Sequence, residues 1–261
     1  MKRSLMTFAK LLARSLGCLS DGISLCLKEG ATSGKMIDYI YRNQPSGKGF
    51  LGRWIDQRFL NHPGWEAIRI RRQLLEKLLI EAVMERQGAL RMIDIASGSA
   101  SCVLSVLKQT GKSDLQAVCQ DLDPQRLDEG RAAAAAAGLK NIIFRKGNAF
   151  DVDVIRNYNP HIVVSSGFYD GINDSVQIQD SIRSIYNALM PSGAFILTIQ
   201  TDYPNLQLVR SIFPDFHKQP VKTIIRSADK MAQWLQSAGF LVEKTLRDSY
   251  GHCALFKTRK P

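Results

Sequence analysis

From residue 89 onward the chain alternates strand-like and helix-like runs, and this alternation restricts the fold more than any other feature. Short apolar runs occupy 90–96, 115–120, 141–145, 160–166 and 193–200. Helical spacing between and after them predicts helices over 99–110, 124–138, 174–190 and 227–238. In the third of these, Ile178, Ile182, Ile185 and Leu189 share one face, and Pro191-Ser192-Gly193 stops the helix. Such β–α alternation predicts a parallel sheet covered by helices on both sides. The final runs, 240–247 and 252–258, are joined only by Asp248-Ser249-Tyr250-Gly251, so they must form an antiparallel hairpin. The expected fold is α/β: a doubly wound, mostly parallel seven-stranded sheet with an antiparallel terminal hairpin.

The front of the chain has a different character and is expected to form a mostly helical extension or lid over 1–88, ahead of the sheet domain at 89–261. Leu5, Phe8, Leu12, Leu16, Leu19 and Ile23 recur at spacings of three and four, interrupted near Gly17 and Asp21-Gly22. Lys2, Arg3, Lys10 and Arg14 make this stretch basic as well as apolar, which suits either packing on its own protein or peripheral membrane contact through residues 1–28. Lys10 and Arg14 also interrupt the apolar run that a secretory signal would need. Residues 29–65 combine glycine punctuation with Tyr39, Tyr41, Phe50, Trp54, Phe59 and Trp65. They read as irregular but ordered chain, either a substrate wall presenting Tyr39 and Tyr41 or an arm covering the sheet edge. A helix from Gly64 to Arg86 follows, ended by Gln87-Gly88.

Charge and cysteine content narrow the partners. Lys and Arg outnumber Asp and Glu by 35 to 24, and residues 1–90 carry 15 of the cations against 8 acids. That balance fits nucleic acid, an anionic membrane, an acidic substrate, or simply a solvated surface. The five cysteines are scattered and odd in number, which argues against a disulfide framework and for a reducing cytoplasm. No His/Cys spacing suggests a metal site, and no apolar run is long enough to span a bilayer.

The chemistry centres on Leu90–Ala100, where Met92, Ile93 and Ile95 flank Asp94 and the run then breaks into small residues before a helix. Small side chains there let a ligand approach the backbone and the helix N–H groups. Asp121 ends the next strand, 27 residues after Asp94, where a carboxylate can accept from ribose hydroxyls. After the third strand, Gly147-Asn148-Ala149 offers an amide beside an adenine edge.

With these residues in this order, the chain resembles the class I S-adenosylmethionine-dependent methyltransferases. Asp94-Ile-Ala96-Ser97-Gly98-Ser-Ala100 lies over their acid-x-Gly-x-Gly-x-Gly motif, with alanine at two glycine positions. The resemblance implies S-adenosyl-L-methionine as cofactor, its methionine part surrounded by Asp94, Ala96, Ser97, Gly98 and Ala100. Asp121 would hold the ribose, Leu122 the adenine face and Asn148-Ala149 the adenine edge, with Ser166 and Gly167 bordering the site. The alanines raise an alternative, a catalytically inactive binding or scaffold protein, because alanine crowds any position that needs positive φ. The front half, Thr32 to Gly47 and Gly64 to Arg72, is similar to a bacterial methyltransferase group sometimes fused to an α/β-hydrolase domain.

The acceptor is expected beyond the fourth strand, at Ser165-Ser166-Gly167-Phe168-Tyr169-Asp170. The (Asn/Asp)-Pro-Pro-aromatic motif of nucleobase-amine methylation is missing there, so a small-molecule or lipid-like acceptor leads and an RNA substrate is the alternative. Tyr169 and His252 are the acid–base candidates, with His217 also able to reach the acceptor side; Asp170 reads as a helix cap. A nicotinamide dehydrogenase ranks last, because the glycine spacing is wrong for the dinucleotide fingerprint.

Overall fold

The computed structural model describes residues 17–203, 206–207, 213 and 223–261; Leu5, Phe8, Leu12, Leu16 and His217 fall outside them. The chain divides into two compact units, Met1–Ile70 with Tyr203–Thr223, and Arg71–Asp202 with Ile224–Pro261.

In the first unit a 3-10 turn, Gly17–Leu19, leads into α1 (Asp21–Glu29), α2 (Gly34–Arg42), α3 (Gly49–Leu60) and the start of α4 (Pro63–Met84). The stretch expected to be irregular is therefore helical. Its glycines and small polar residues punctuate helices rather than preclude them. Ser33 caps α2 by accepting from Met36 N at 3.1 Å, and Asn43 closes it in the left-handed region at φ 49°. The nine-residue α2 buries Met36, Tyr39 and Ile40 on one face, a helical spacing present in the sequence but hidden among flanking glycines, whereas the twelve-residue α3 shows little periodicity. Cys26, Met36, Tyr39, Ile40, Leu60, Trp65 and Tyr203 form their core.

At the heart of this unit lies Asp56, fully buried on α3. Its Oδ1 accepts from Ser20 Oγ at 2.6 Å and Gly22 N at 2.7 Å. Its Oδ2 accepts from the Tyr39 hydroxyl at 2.5 Å and Ser46 N at 3.0 Å. A Cβ on Gly22 would stand 2.7 Å from Asp56 Oδ1, so only glycine admits the carboxylate there. Tyr39, expected in a substrate wall, instead anchors this network. Burial and the neighbouring carboxylate push its phenol up to about 12. Tyr41 is half-buried and packs against the same core.

The second unit holds the expected seven-stranded sheet. Its strands are β1 (Leu90–Ile95), β2 (Leu115–Asp121), β3 (Ile142–Lys146), β4 (Ile162–Ser166), β5 (Ala194–Gln200), β6 (Leu241–Arg247) and β7 (Cys253–Arg259). Their order is 3-2-1-4-5-7-6; the first five are parallel, and β7 runs antiparallel between β5 and β6. Helices α5 (Ser101–Thr110), α6 (Pro124–Ala136), α7 (Val152–Tyr158), α8 (Ser175–Ala188) and α9 (Ala228–Ser237) complete the unit. Only α7 has no counterpart in the sequence reading, since seven residues are too few for a period to register.

One face of the sheet packs Met92, Cys119, Ile162, Val164 and Ile196 against α5 and the second half of α4. The other packs Ile93, Ile95, Val163, Phe195 and Leu197 against α8 and α9. The expected domain boundary at 88/89 thus moves back to 70/71. Leu75, Leu78, Leu79 and Val83 of α4 share a core with β1, so the helix cannot be parted from the sheet. Among the described residues, no helix is long and apolar enough to cross a membrane.

Candidate active site at the carboxyl edge of the sheet

The strand order reverses between β1 and β4, and in open α/β sheets ligands bind outside the carboxyl ends at that point. Several buried polar atoms at this edge have no hydrogen-bond partner within the protein. They are Asp94 Oδ1, Gln120 Oε1, Ser165 Oγ and Thr198 Oγ1, each within two residues of its strand's carboxyl end, and His252 Nδ1 beside them. Buried polar atoms are normally satisfied, so a row of exceptions along one edge makes that edge the candidate site.

Asp94 is the most costly of these. Burial, reinforced by the nearby Asp121, holds its carboxyl well above the usual range. The loop that follows puts Ala96, Gly98 and Ala100 in the left-handed region, at φ 54°, 57° and 56°. Both alanines therefore follow the backbone path that suits glycine, at roughly 1–2 kcal/mol of strain each. Ala100 also opens α5 without a side-chain cap, leaving first-turn N–H groups for another acceptor. Asp121 pins the loop: its Oδ2 accepts from Gly98 N at 2.7 Å and its Oδ1 from Asp123 N at 2.9 Å. Ser97 N donates to Gln120 O at 2.9 Å.

Arg126, on the first turn of α6, supports the loop from beneath. Its Nη2 donates to Ser99 Oγ at 3.1 Å and would lie 3.6 Å from a Cβ on Gly98. Leu122, next to Asp121, is 63% exposed, the disposition an apolar ligand face would require. Asn148 is exposed, and its Oδ1 already accepts from Phe150 N at 3.0 Å. It can therefore offer its amide N–H2 and one remaining lone pair, while Ala149 behind it is buried.

At the end of β4, Ser166 and Gly167 border a buried ion pair. Asp170 Oδ2 lies 3.8 Å from Arg71 Nη1, and its Oδ1 accepts from Gln200 N at 2.8 Å. Burial pushes the Asp170 carboxyl up to about 6 against the pull of Arg71. Gly167 has φ 70°, and a Cβ on it would stand 3.1 Å from Arg71 Nη1. Asp170 thus ties β4 to β5 and caps nothing; Asp174 caps α8, accepting from Val176 N at 2.8 Å. Arg71 is absent from the sequence candidates, although one signal existed. It occupies a position three after Ile68 and four before Leu75, on a stripe otherwise apolar.

The two acid–base candidates part company. Tyr169 is fully buried in the apolar core, shares a hydrogen bond of 3.0 Å with Ser181 Oγ, and has a phenol raised far above its ordinary value by burial. The structure gives it a packing role in place of the expected acid–base one. His252 sits nearer the site than its sequence position suggests. Because β7 is antiparallel, Cys253 pairs with Gln200, which brings the start of β7 to the carboxyl edge. The imidazole stacks on Tyr250 at 5.8 Å, with Nδ1 3.7 Å from Asp202 Oδ2.

Known proteins resemble this chain in sequence or in fold. The Escherichia coli (strain K12) protein YnbC, described as uncharacterized, is 30% identical over 242 residues, covering 89% of this chain. The chain spans only 41% of that relative's length. A solved structure from Bordetella parapertussis, described as a possible exported protein, superposes with a TM-score of 0.71 at 21% identity, over 92% of this chain and 82% of that one. A SAM-dependent methyltransferase from Aquifex aeolicus gives a TM-score of 0.53 at 13% identity, over 78% and 96%. These structural likenesses establish a shared fold. Over residues 2–259 the sequence matches the family described as "Putative methyltransferase", and the chain belongs to that family.

Proposed function

We propose that the protein is an S-adenosyl-L-methionine-dependent methyltransferase that methylates a small-molecule or lipid-like acceptor by direct displacement. The observation carrying this reading is the row of unpartnered buried polar atoms at the carboxyl edge, with Asp94 at its centre. Residue by residue the edge fits the cofactor. The Asp94 carboxylate supplies a countercharge for a cationic methionine moiety beside the backbone of Ala96, Ser97, Gly98 and Ala100. Asp121 keeps lone pairs for ribose hydroxyls while holding Gly98. Leu122 covers one face of the adenine, and Asn148 with Ala149 meets its edge. Ser166 and Gly167 line the approach from β4.

When bound, this cofactor supplies an electrophilic methyl group on a sulfonium centre. The protein's part is then proximity and orientation of the acceptor, together with exclusion of water. The Arg71–Asp170 pair holds the ends of β4 and β5 in register for that task. His252 is the group at this edge with a nitrogen able to take a proton from the acceptor, at Nδ1.

Titration calorimetry with S-adenosylhomocysteine tests the reading. Binding is expected in the wild type, and Asp121→Ala is expected to weaken it about a hundredfold, roughly two charge-assisted hydrogen bonds. Absence of binding to the wild type would sink the proposal. Binding without methyl transfer to any fraction of a small-molecule or lipid extract would favour the scaffold alternative, and salt-sensitive RNA methylation the nucleic-acid one.

A further inference from the structure

We propose that the outward face of α3 docks the protein onto an anionic lipid surface. Phe50, Leu51 and Trp54 are 81%, 53% and 50% exposed, one turn of a single helix. The other large apolar side chains left exposed among the described residues are scattered over separate elements. Large apolar groups gathered on one face in this way mark an interaction surface, whereas isolated ones do not.

Charge decides what that surface faces. Lys48, Arg53 and Arg58 are exposed around the apolar turn, and Arg58 lies over the Trp54 ring at 5.3 Å. Asp56 is the only acid between residues 48 and 61. It is fully buried, and both its oxygens are taken by Ser20, Gly22, Tyr39 and Ser46. The network that stabilises this unit therefore also withdraws the helix's one negative charge from its outward face. What remains is apolar with a basic rim, the complement of an anionic membrane interface. The indole suits the headgroup level, and the long basic side chains can lie along it with their charges toward phosphate. At twelve residues with two arginines, α3 would lie in the interface and not cross it.

Co-sedimentation with phosphatidylcholine vesicles, with and without phosphatidylglycerol, tests the inference on the full chain. Binding is expected only with the anionic lipid, and it should weaken as salt is raised. Arg53→Gln with Arg58→Gln should lower affinity about 25-fold, at about fivefold per cation. Phe50→Ser with Leu51→Ser should lower it about tenfold or more. All four side chains are exposed, so circular dichroism should show unchanged folding. Residues 1–16 keep their charges in every variant, so any loss belongs to α3. Anionic vesicles should also shift the tryptophan emission to the blue, and Trp54→Phe should abolish that shift while retaining most of the binding. Vesicle binding that none of these substitutions alters would overturn the proposal. So would loss of a protein–protein association, in place of vesicle binding, in the Phe50/Leu51 variant. Cofactor binding is independent of either outcome.

Discussion

Two aspartates, Asp56 and Asp94, are both buried, and their surroundings are opposite. Asp56 in the helical unit accepts four hydrogen bonds, one from each of Ser20, Gly22, Tyr39 and Ser46. Asp94 in the sheet unit has an oxygen with no protein partner and a carboxyl pushed well above its ordinary range by burial. A saturated buried carboxylate holds structure together, whereas an unsaturated one lowers stability until something binds it. The first unit thus uses its acid to join three helices, and the second leaves its acid unsatisfied at the proposed cofactor edge.

The largest expected effects come from exchanging those roles by mutation. Asp56→Ala should destabilise the protein by about 3–5 kcal/mol, because it strands four donors, three of them buried. Asp94→Asn should leave the thermal midpoint unchanged or raised, since an isosteric amide removes a buried charge. The same variant should lower cofactor affinity about a hundredfold, as expected for a lost charge-assisted interaction. Paired thermal melts and calorimetry on the two variants would show the crossing. If Asp94→Asn instead behaved like Asp56→Ala, the contrast between the units would collapse.

A smaller effect lies in pH. Asp94 has a folded pKa raised above its ordinary 3.8, so the folded chain holds a proton that the unfolded chain releases. Its contribution to stability therefore falls as pH rises above about 4 toward that raised value. Asp170, raised to about 6, has the same sign, with its window between about 4 and about 6. A cationic cofactor favours ionised Asp94, so affinity should rise with pH in the window where stability falls, by at most about tenfold per pH unit. Calorimetry across that range should give a slope that Asp94→Asn flattens. A slope retained in the variant would assign it to another group.

The smallest effect concerns the loop itself. Ala96→Gly and Ala100→Gly should each stabilise the protein by about 1 kcal/mol, because both alanines sit at positive φ. Denaturant melts would detect this, with cofactor affinity changing little. A loss of stability in either variant would mean that the left-handed path is not the strained feature it is here.

The sequence by itself determined the sheet and which edge of it is the candidate site. Alternating periods of two and 3.6 residues need no tertiary information, so strands, parallel order and terminal hairpin were legible to within a residue or two. The placement of Asp94, Gly98 and Asp121 at one edge was legible for the same reason, since strand ends in such a sheet converge there. Tertiary structure alone decided which polar groups were satisfied. Tyr39 and Tyr169 looked available for chemistry and are committed to Asp56 and Ser181, partners 17 and 12 residues away. Arg71 and His252 reach the site only because α4 packs along the sheet and β7 runs antiparallel to β5. Hydrogen-bond satisfaction depends on neighbours distant in sequence, and no local pattern records them.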